Sequence, residues 1–187
     1  MKKSSLLGAC LLALTMTMGS GAALAKTPPD QLIIGMNMNN LLTLDPAAMT
    51  GNEVVGIVVN LYDSLVELDP EQLTNVKPAL AKSWDISPDG KTLTFHLQDN
   101  VKFHSGNPLT AKDVAYSYER AVRLDKSPAF ILTQFGLNGE NVTENAKAVD
   151  DATFDLKVDK AYAPSFVLNC LTATIGAVVD QKLLEEH

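Results

Sequence analysis

The stretch Ser83–Gln98 constrains the fold more than any other part of this 187-residue chain. Ser83–Ile86 runs into Ser87-Pro88-Asp89-Gly90, and Lys91–Gln98 follows. Proline pre-sets the backbone of a turn, and Asp-Gly completes it with a capping side chain and a residue that tolerates positive φ. Beyond the turn Leu93, Phe95 and Leu97 alternate with Thr92, Thr94 and His96. A period of two places each set on its own face, so the stretch predicts a β-hairpin with one buried face.

The remaining chain supplies helices and short strands around that hairpin. Gln31–Gly35 is a short apolar run suited to a buried strand. Met36–Asp45 reads as a polar, Asn-rich loop closed by Leu44-Asp45-Pro46. Thr50 and Glu53 are spaced as a capping box. Behind them Val54, Val55, Val58, Leu61, Tyr62 and Leu65 recur at helical spacing, which predicts a helix over 51–64 despite its β-branched valines. Val66–Leu68 reads as a brief strand, 78–82 as a short helical turn or loop, and Val101–His104 as a further strand. Ser105-Gly106-Asn107-Pro108 turns the chain. Thr110 and Asp113 form a second capping box, opening a helix to about Leu124 with Val114, Tyr118, Ala121 and Val122 inward. A short helix is expected over 128–135. A second hairpin is expected from Lys147–Val149 and Thr153–Val158 around Asp150-Asp151. Pro164 starts a helix to about Leu171, and Asp180 caps a last one from Gln181. The class is α/β with antiparallel hairpins.

The first residues have a different character. Lys2 and Lys3 form a basic start, Leu6–Met18 is apolar or small, Gly19-Ser20-Gly21 breaks a helix, and Ala23-Leu24-Ala25 offers small residues at cleavage positions. These are the three parts of a secretory signal, with cleavage expected after Ala25. The apolar stretch falls short of the roughly 20 residues a membrane-crossing helix needs. Leu7-Gly8-Ala9-Cys10 resembles a lipidation box but precedes most of the apolar stretch. The chain is thus read as a signal peptide, 1–25, and one domain portion, 26–187. Cys170 is then the only cysteine of the exported part, in the apolar setting Val167–Leu171, and reads as a buried structural thiol. The formal net charge is −7, with no basic run, which argues against nucleic acid and anionic membranes as partners. Leu183–His187 stops inside a helical pattern, as a truncated chain or fragment would.

Chemistry-bearing motifs do not emerge. There is no nucleophile elbow, phosphate-binding loop, dinucleotide-binding glycine set or zinc-binding His-Glu-x-x-His. His96 and His104, on neighbouring predicted strands, lack a third ligand at a fixed spacing. No pair among the many carboxylates is singled out for glycoside hydrolysis. Trp84 beside the hairpin reads as core. The expectation is a non-enzymatic chain with no cofactor and no metal.

Several ordered blocks carry a resemblance. Leu80-Ala81-Lys82-Ser83-Trp84-Asp85, Ser87-Pro88-Asp89-Gly90-Lys91-Thr92, Thr94-Phe95-His96-Leu97, Val101–Gly106 and Pro108–Val114 follow one another. With Leu44-Asp45-Pro46 and Leu61–Leu65 upstream, the series closely resembles the family 5 extracellular solute-binding proteins of bacterial ABC importers. These bind dipeptides, oligopeptides or nickel. The resemblance implies a type II, periplasmic-binding-protein-like fold with two lobes closing on a ligand. This chain would supply the N-terminal part of lobe I and the family's extra subdomain, without the second lobe. It further implies a monomer in the periplasm that captures a peptide or similar small solute and delivers it to membrane permease subunits. The alternatives are a nickel or metal-chelate binder of the same fold, or a ligand-presenting partner of a chemoreceptor. By the same resemblance the loops Met36–Asn39 and Met49–Gly51 face the cleft, so Asn37, Asn39, Met49, Thr50 and Gly51 are the expected ligand contacts. Thr50 has the alternative reading of a helix cap alone.

Overall fold

The computed structural model describes residues 27–35, 37–39 and 41–186. The predicted signal segment 1–25 and Met36 lie outside the described residues. The chain divides into two compact units, Met1–Met36 and Asn37–His187.

In the described part of the first unit, the expected buried strand at 31–35 is not formed. Leu32, Ile33 and Ile34 are 84%, 70% and 68% exposed. A strand exists by pairing, and among the described residues none pairs with this run, so its apolar sequence alone does not make it one.

The second unit carries the regular structure. Helix α1 is Asn52–Val58, and strands β1 (Val66–Leu68) and β2 (Val76–Pro78) form an antiparallel ribbon. Next come β3 (Ala81–Ile86), β4 (Thr92–Leu97) and the 14-residue helix α2 (Ala111–Leu124). Short helices α3 (Phe130–Thr133) and α4 (Val142–Asn145) lead to β5 (Ala146–Ala148) and β6 (Thr153–Lys157). Helix α5 (Pro164–Leu171), a 3-10 turn at Thr174–Gly176 and helix α6 (Gln181–Glu186) finish the unit. Strands β3 to β6 form one antiparallel sheet in the order β3-β4-β6-β5.

The predicted hairpin is present in its expected register, with Trp84 opposite Phe95 and Ile86 opposite Leu93. Gly90 has φ 67°, the left-handed conformation this turn requires. Leu93, Phe95 and Leu97 are buried, and Phe154 and Leu156 of β6 continue the same face. Helix α2 is packed on it, with the Tyr118 ring 5.4 Å from Phe154 in an edge-on arrangement. On the other face Thr94 donates to Asp155 at 2.6 Å and His96 meets Asp85 at 2.9 Å. The second capping box is formed: the Asp113 carboxylate accepts from the Thr110 amide at 2.9 Å. Trp84 is partly buried against the core, its ring 6.4 Å from Phe95.

Five further expectations need correction. The helix expected over 51–64 ends at Val58, where the amides of Asn60 and Leu61 turn back to the carbonyls three residues earlier. Valines and Gly56 disfavour helix, and a tight turn absorbs the chain instead. Thr50 does not cap it: Gly51, at φ 97°, is the cap, which leaves Thr50 one residue outside. Val101–His104 is not a strand but makes a single bridge, Lys102 with Pro108. The turn at Ser105–Asn107 folds the segment on itself, so the Phe103 amide donates to the Asn107 carbonyl and the Leu109 amide to the Val101 carbonyl. Cys170 is half-buried, with Gln134 donating to its Sγ at 3.7 Å and burial raising its pKa. The ribbon strand β2 fell where the sequence predicts helical turn or loop at its edge, because three residues are too few to display a period.

One buried group is left unmatched. The Tyr118 hydroxyl is buried and has no hydrogen-bond partner among the described residues. Burial pushes its pKa well above the ordinary value. A buried, unsatisfied hydroxyl costs about 1–3 kcal/mol of desolvation. Tyr118→Phe keeps the ring on Phe154 and is expected to raise stability by about 1 kcal/mol, read as a higher melting temperature. A fall in melting temperature would show that the hydroxyl is hydrogen-bonded in solution.

Candidate functional site

One concavity of the second unit is a cavity of about 370 Å³. Leu44–Pro46 and Tyr62 form part of its wall, Phe103–Ser105 another part, and Val178–Asp180 with Leu183 a third. Three features of the sequence bring these walls together. Helix α2 carries them: its Ser117 hydroxyl accepts from the Val179 amide at 2.9 Å, and its Asp113 carboxylate accepts from the Gln181 amide at 3.2 Å. The two chain crossings at Ser64 and Ala177 pair as an antiparallel bridge, and the Val178 amide donates to the Asp63 carbonyl at 2.9 Å. Arg120 of α2 also reaches Asp45, 75 positions earlier, as described next.

The polar groups of the cavity fall into two corners. In the first, Arg120 donates through both terminal nitrogens to the two carboxylate oxygens of Asp45, at 2.9 and 2.5 Å. The paired guanidinium holds the Asp45 carboxyl below its ordinary pKa, against an opposing effect of burial. Tyr62 beside it is pushed upward, first by burial and then by the Asp45 charge. In the second corner Asp180 accepts from the hydroxyl of Ser105, from Asn107 at 2.9 Å and from the Leu183 amide at 3.1 Å. Burial raises its pKa, but these bonds outweigh it and the net shift is downward. Asp180 therefore caps α6 as its sequence position predicts, and it also ties α6 to the turn at 105–107.

The expected ligand contacts lie elsewhere. Asn37 and Asn39 are exposed and two positions apart, the Asn39 amide donating to the Asn37 side-chain oxygen at 3.0 Å. Thr50 and Gly51 are exposed at the entrance to α1. Met49 is buried, 4% exposed, in a small cluster with Val54 and Val58. Thus Thr50 and Gly51 are consecutive and exposed, Met49 before them is buried, and none of the five lines the cavity. The Arg120–Asp45 pair was not singled out by sequence reading: nothing local links a helical arginine to a loop aspartate 75 positions away.

Metal-binding geometry is not assembled among the described residues, where no three His, Cys, Asp or Glu side chains come together as ligands. His96 engages Asp85, whereas His104 lies on the cavity wall. Among the described residues no helix is long and apolar enough to cross a membrane.

Residues 75–186 match the family model described as bacterial extracellular solute-binding proteins, family 5 middle. The chain belongs to this family. Among curated relatives, the probable D,D-dipeptide-binding periplasmic protein DdpA of Escherichia coli (strain K12) is 32% identical over all of this chain and 35% of its own length. Among solved structures, the Escherichia coli murein tripeptide binding protein MppA superposes with a TM-score of 0.68 at 28% identity, over 78% of this chain and 30% of that one. Haemophilus influenzae OppA in complex with the peptide RPPGFSPFR gives a TM-score of 0.67 at 27% identity, over 77% of this chain and 29% of that one. The architecture is accordingly that of part of a type II periplasmic binding protein, and the chain spans about a third of the length of the relatives it matches. These relatives are binding proteins.

Proposed function

We propose that this family 5 chain is part of the periplasmic binding component of an ABC importer, which captures a peptide and hands it to membrane permease subunits. The observation that carries the reading is the likeness to a relative whose structure holds a peptide, at a TM-score of 0.67. On this reading residues 1–25 are an export signal removed after Ala25, the protein acts as a monomer in the periplasm, and it turns over no substrate. Asn37, Asn39, Thr50 and Gly51 are exposed polar or backbone groups that suit a peptide's carbonyls and termini, with Met49 holding the second loop from behind. A peptide gains affinity in such proteins by being buried on most sides, with a few polar groups fixing its orientation.

Calorimetric titration of the full protein with RPPGFSPFR, with D-alanyl-D-alanine and with nickel ion tests the reading. Saturable binding of at least one peptide is expected, with a melting temperature that rises with the logarithm of peptide concentration. Stabilisation of about 2.7 kcal/mol is expected at a hundredfold excess over the dissociation constant. Saturable binding of nickel without either peptide would replace this reading with metal capture, and hydrolysis of the peptide would overturn the non-enzymatic part.

A further inference from the structure

The segment from Thr43 to Gly51 has little regular structure, yet its shape is closely specified. Thr43 accepts from the Asp45 amide through its hydroxyl at 3.0 Å. Asp45 accepts from the Ala47 amide through its carboxylate at 3.0 Å. The Asp45 carbonyl accepts from the amides of Ala48 at 3.1 Å and Met49 at 2.9 Å. One residue therefore organises the whole turn, and the Met49 side chain then enters the cluster with Val54 and Val58. Gly51, at φ 97°, carries the chain into α1.

That organising residue is held from outside the turn by Arg120 alone among the ion pairs of the described residues. The side chains of Arg120 and Asp45 are only 24% and 27% exposed, so water competes weakly for the pair. Two parallel bonds between a planar guanidinium and a carboxylate fix orientation as well as distance, which a lysine ammonium cannot do. Arg120 itself stands on a 14-residue helix whose Val114, Tyr118, Ala121 and Val122 are buried in the main core. The turn thus inherits its position from the longest helix among the described residues, which is anchored in the main core.

We infer that Arg120 is a positioning residue for the Met49–Gly51 segment: its fork on Asp45 sets where the exposed Thr50 and Gly51 groups stand for a bound peptide. The inference rests on the proposed peptide-binding role of that segment. Arg120 touches no ligand in this account; it acts through Asp45.

The test uses the full protein and three variants: Arg120→Met, which keeps the stem and removes the fork; Arg120→Lys, which keeps only the charge; and Asp45→Asn, which keeps the shape of the turn's own acceptor. Amide hydrogen exchange of residues 45–51 is compared with that of strands β4 and β6, and RPPGFSPFR and D-alanyl-D-alanine are titrated in parallel. Arg120→Met is expected to speed exchange in 45–51 by roughly tenfold, equivalent to about 1.4 kcal/mol, while β4 and β6 stay unchanged. Peptide affinity should fall by roughly the same factor. Arg120→Lys is expected to recover only part of either loss. Unchanged exchange in 45–51 overturns the inference whether or not a peptide binds. Faster exchange with wild-type peptide affinity overturns it as well, because the turn would then not position ligand groups. If even the wild-type protein binds neither peptide, the proposed function falls and the role assigned to Arg120 falls with it, whereas local loosening in the variants would still identify a purely structural fork. If Arg120→Met fails to fold, Asp45→Asn decides by the same two readouts.

Discussion

Phe154→Ala is expected to destabilise the protein by about 4 kcal/mol, one of the two largest single-residue effects in this fold. Phe154 is fully buried at the centre of the four-stranded sheet, opposite Phe95 in β4 and Ala148 in β5. Its ring lies 6.3 Å from that of Phe95 and 5.4 Å from that of Tyr118, so it joins the sheet to helix α2. Truncation removes most of an aromatic side chain's transfer free energy. It also leaves a cavity that Phe95 and Tyr118 cannot fill, being held by the strand register and by the capped helix. Phe154→Leu refills most of that volume and should lose much less. Denaturant unfolding followed by the emission of Trp84, whose ring packs on Phe95, reads both variants. A loss below about 2 kcal/mol for Phe154→Ala would mean that α2 collapses onto the sheet and that the layer is softer than its burial indicates.

Why so much of this layer was legible beforehand follows from its periodicity. Leu93, Phe95 and Leu97 beside the Pro88-Asp89-Gly90 turn, and later Phe154, Leu156 and Val158 beside Asp150-Asp151, each show a clean period of two, and all six are buried. Thr110 and Asp113 announce α2 with a capping box whose bonds are present. The same signs failed at Thr50, where the glycine that follows takes φ 97° and becomes the cap itself. Apolar composition without a pairing partner misled at Leu32–Ile34, and a strand pattern misled at Val101–His104, where a tight turn claims the backbone bonds. The cavity was illegible for a further reason. Its walls include residues 44–46, 62, 103–105, 178–180 and 183, and they meet through the bonds of α2 to Asp45, Val179 and Gln181 and through the bridge of Ser64 with Ala177. Such long-range bonds leave no local period or spacing to read. The recognisable blocks of the family lie in the sheet layer, the start of α2 and three stretches of the cavity wall at 44–46, 61–63 and 101–105, so the family was evident from local blocks while the long-range bonds that join them were not.

Gly176→Ala tests the other joint of the unit, where the chain returns from α5 to the crossing beside Ser64. A Cβ placed on Gly176 would lie 2.2 Å from the carbonyl oxygen of Leu171 and 3.0 Å from its carbonyl carbon. Both are backbone atoms at the end of α5, so no side chain can swing away to make room. Relief requires moving either the helix end, where Leu171 is fully buried, or the 3-10 turn Thr174–Gly176. The turn is itself tied at both sides: the Gly176 amide donates to Ala173 at 2.8 Å, and just beyond it Ala177 bridges to Ser64 and Val178 donates to Asp63. Overpacking of a buried site typically costs about 1–3 kcal/mol, and a methyl group forced against a fixed carbonyl should reach the upper end, about 3 kcal/mol. Gly56→Ala is the matched control. Nothing lies within 4 Å of a Cβ there, and the residue is inside helix α1, so the same change should stabilise by up to about 1 kcal/mol. The two alanine variants should therefore move the unfolding midpoint in opposite directions at an unchanged denaturant slope. If Gly176→Ala stays within about 0.5 kcal/mol of the wild type, the turn yields, and the return crossing beside Ser64 is a flexible joint instead of a fixed one.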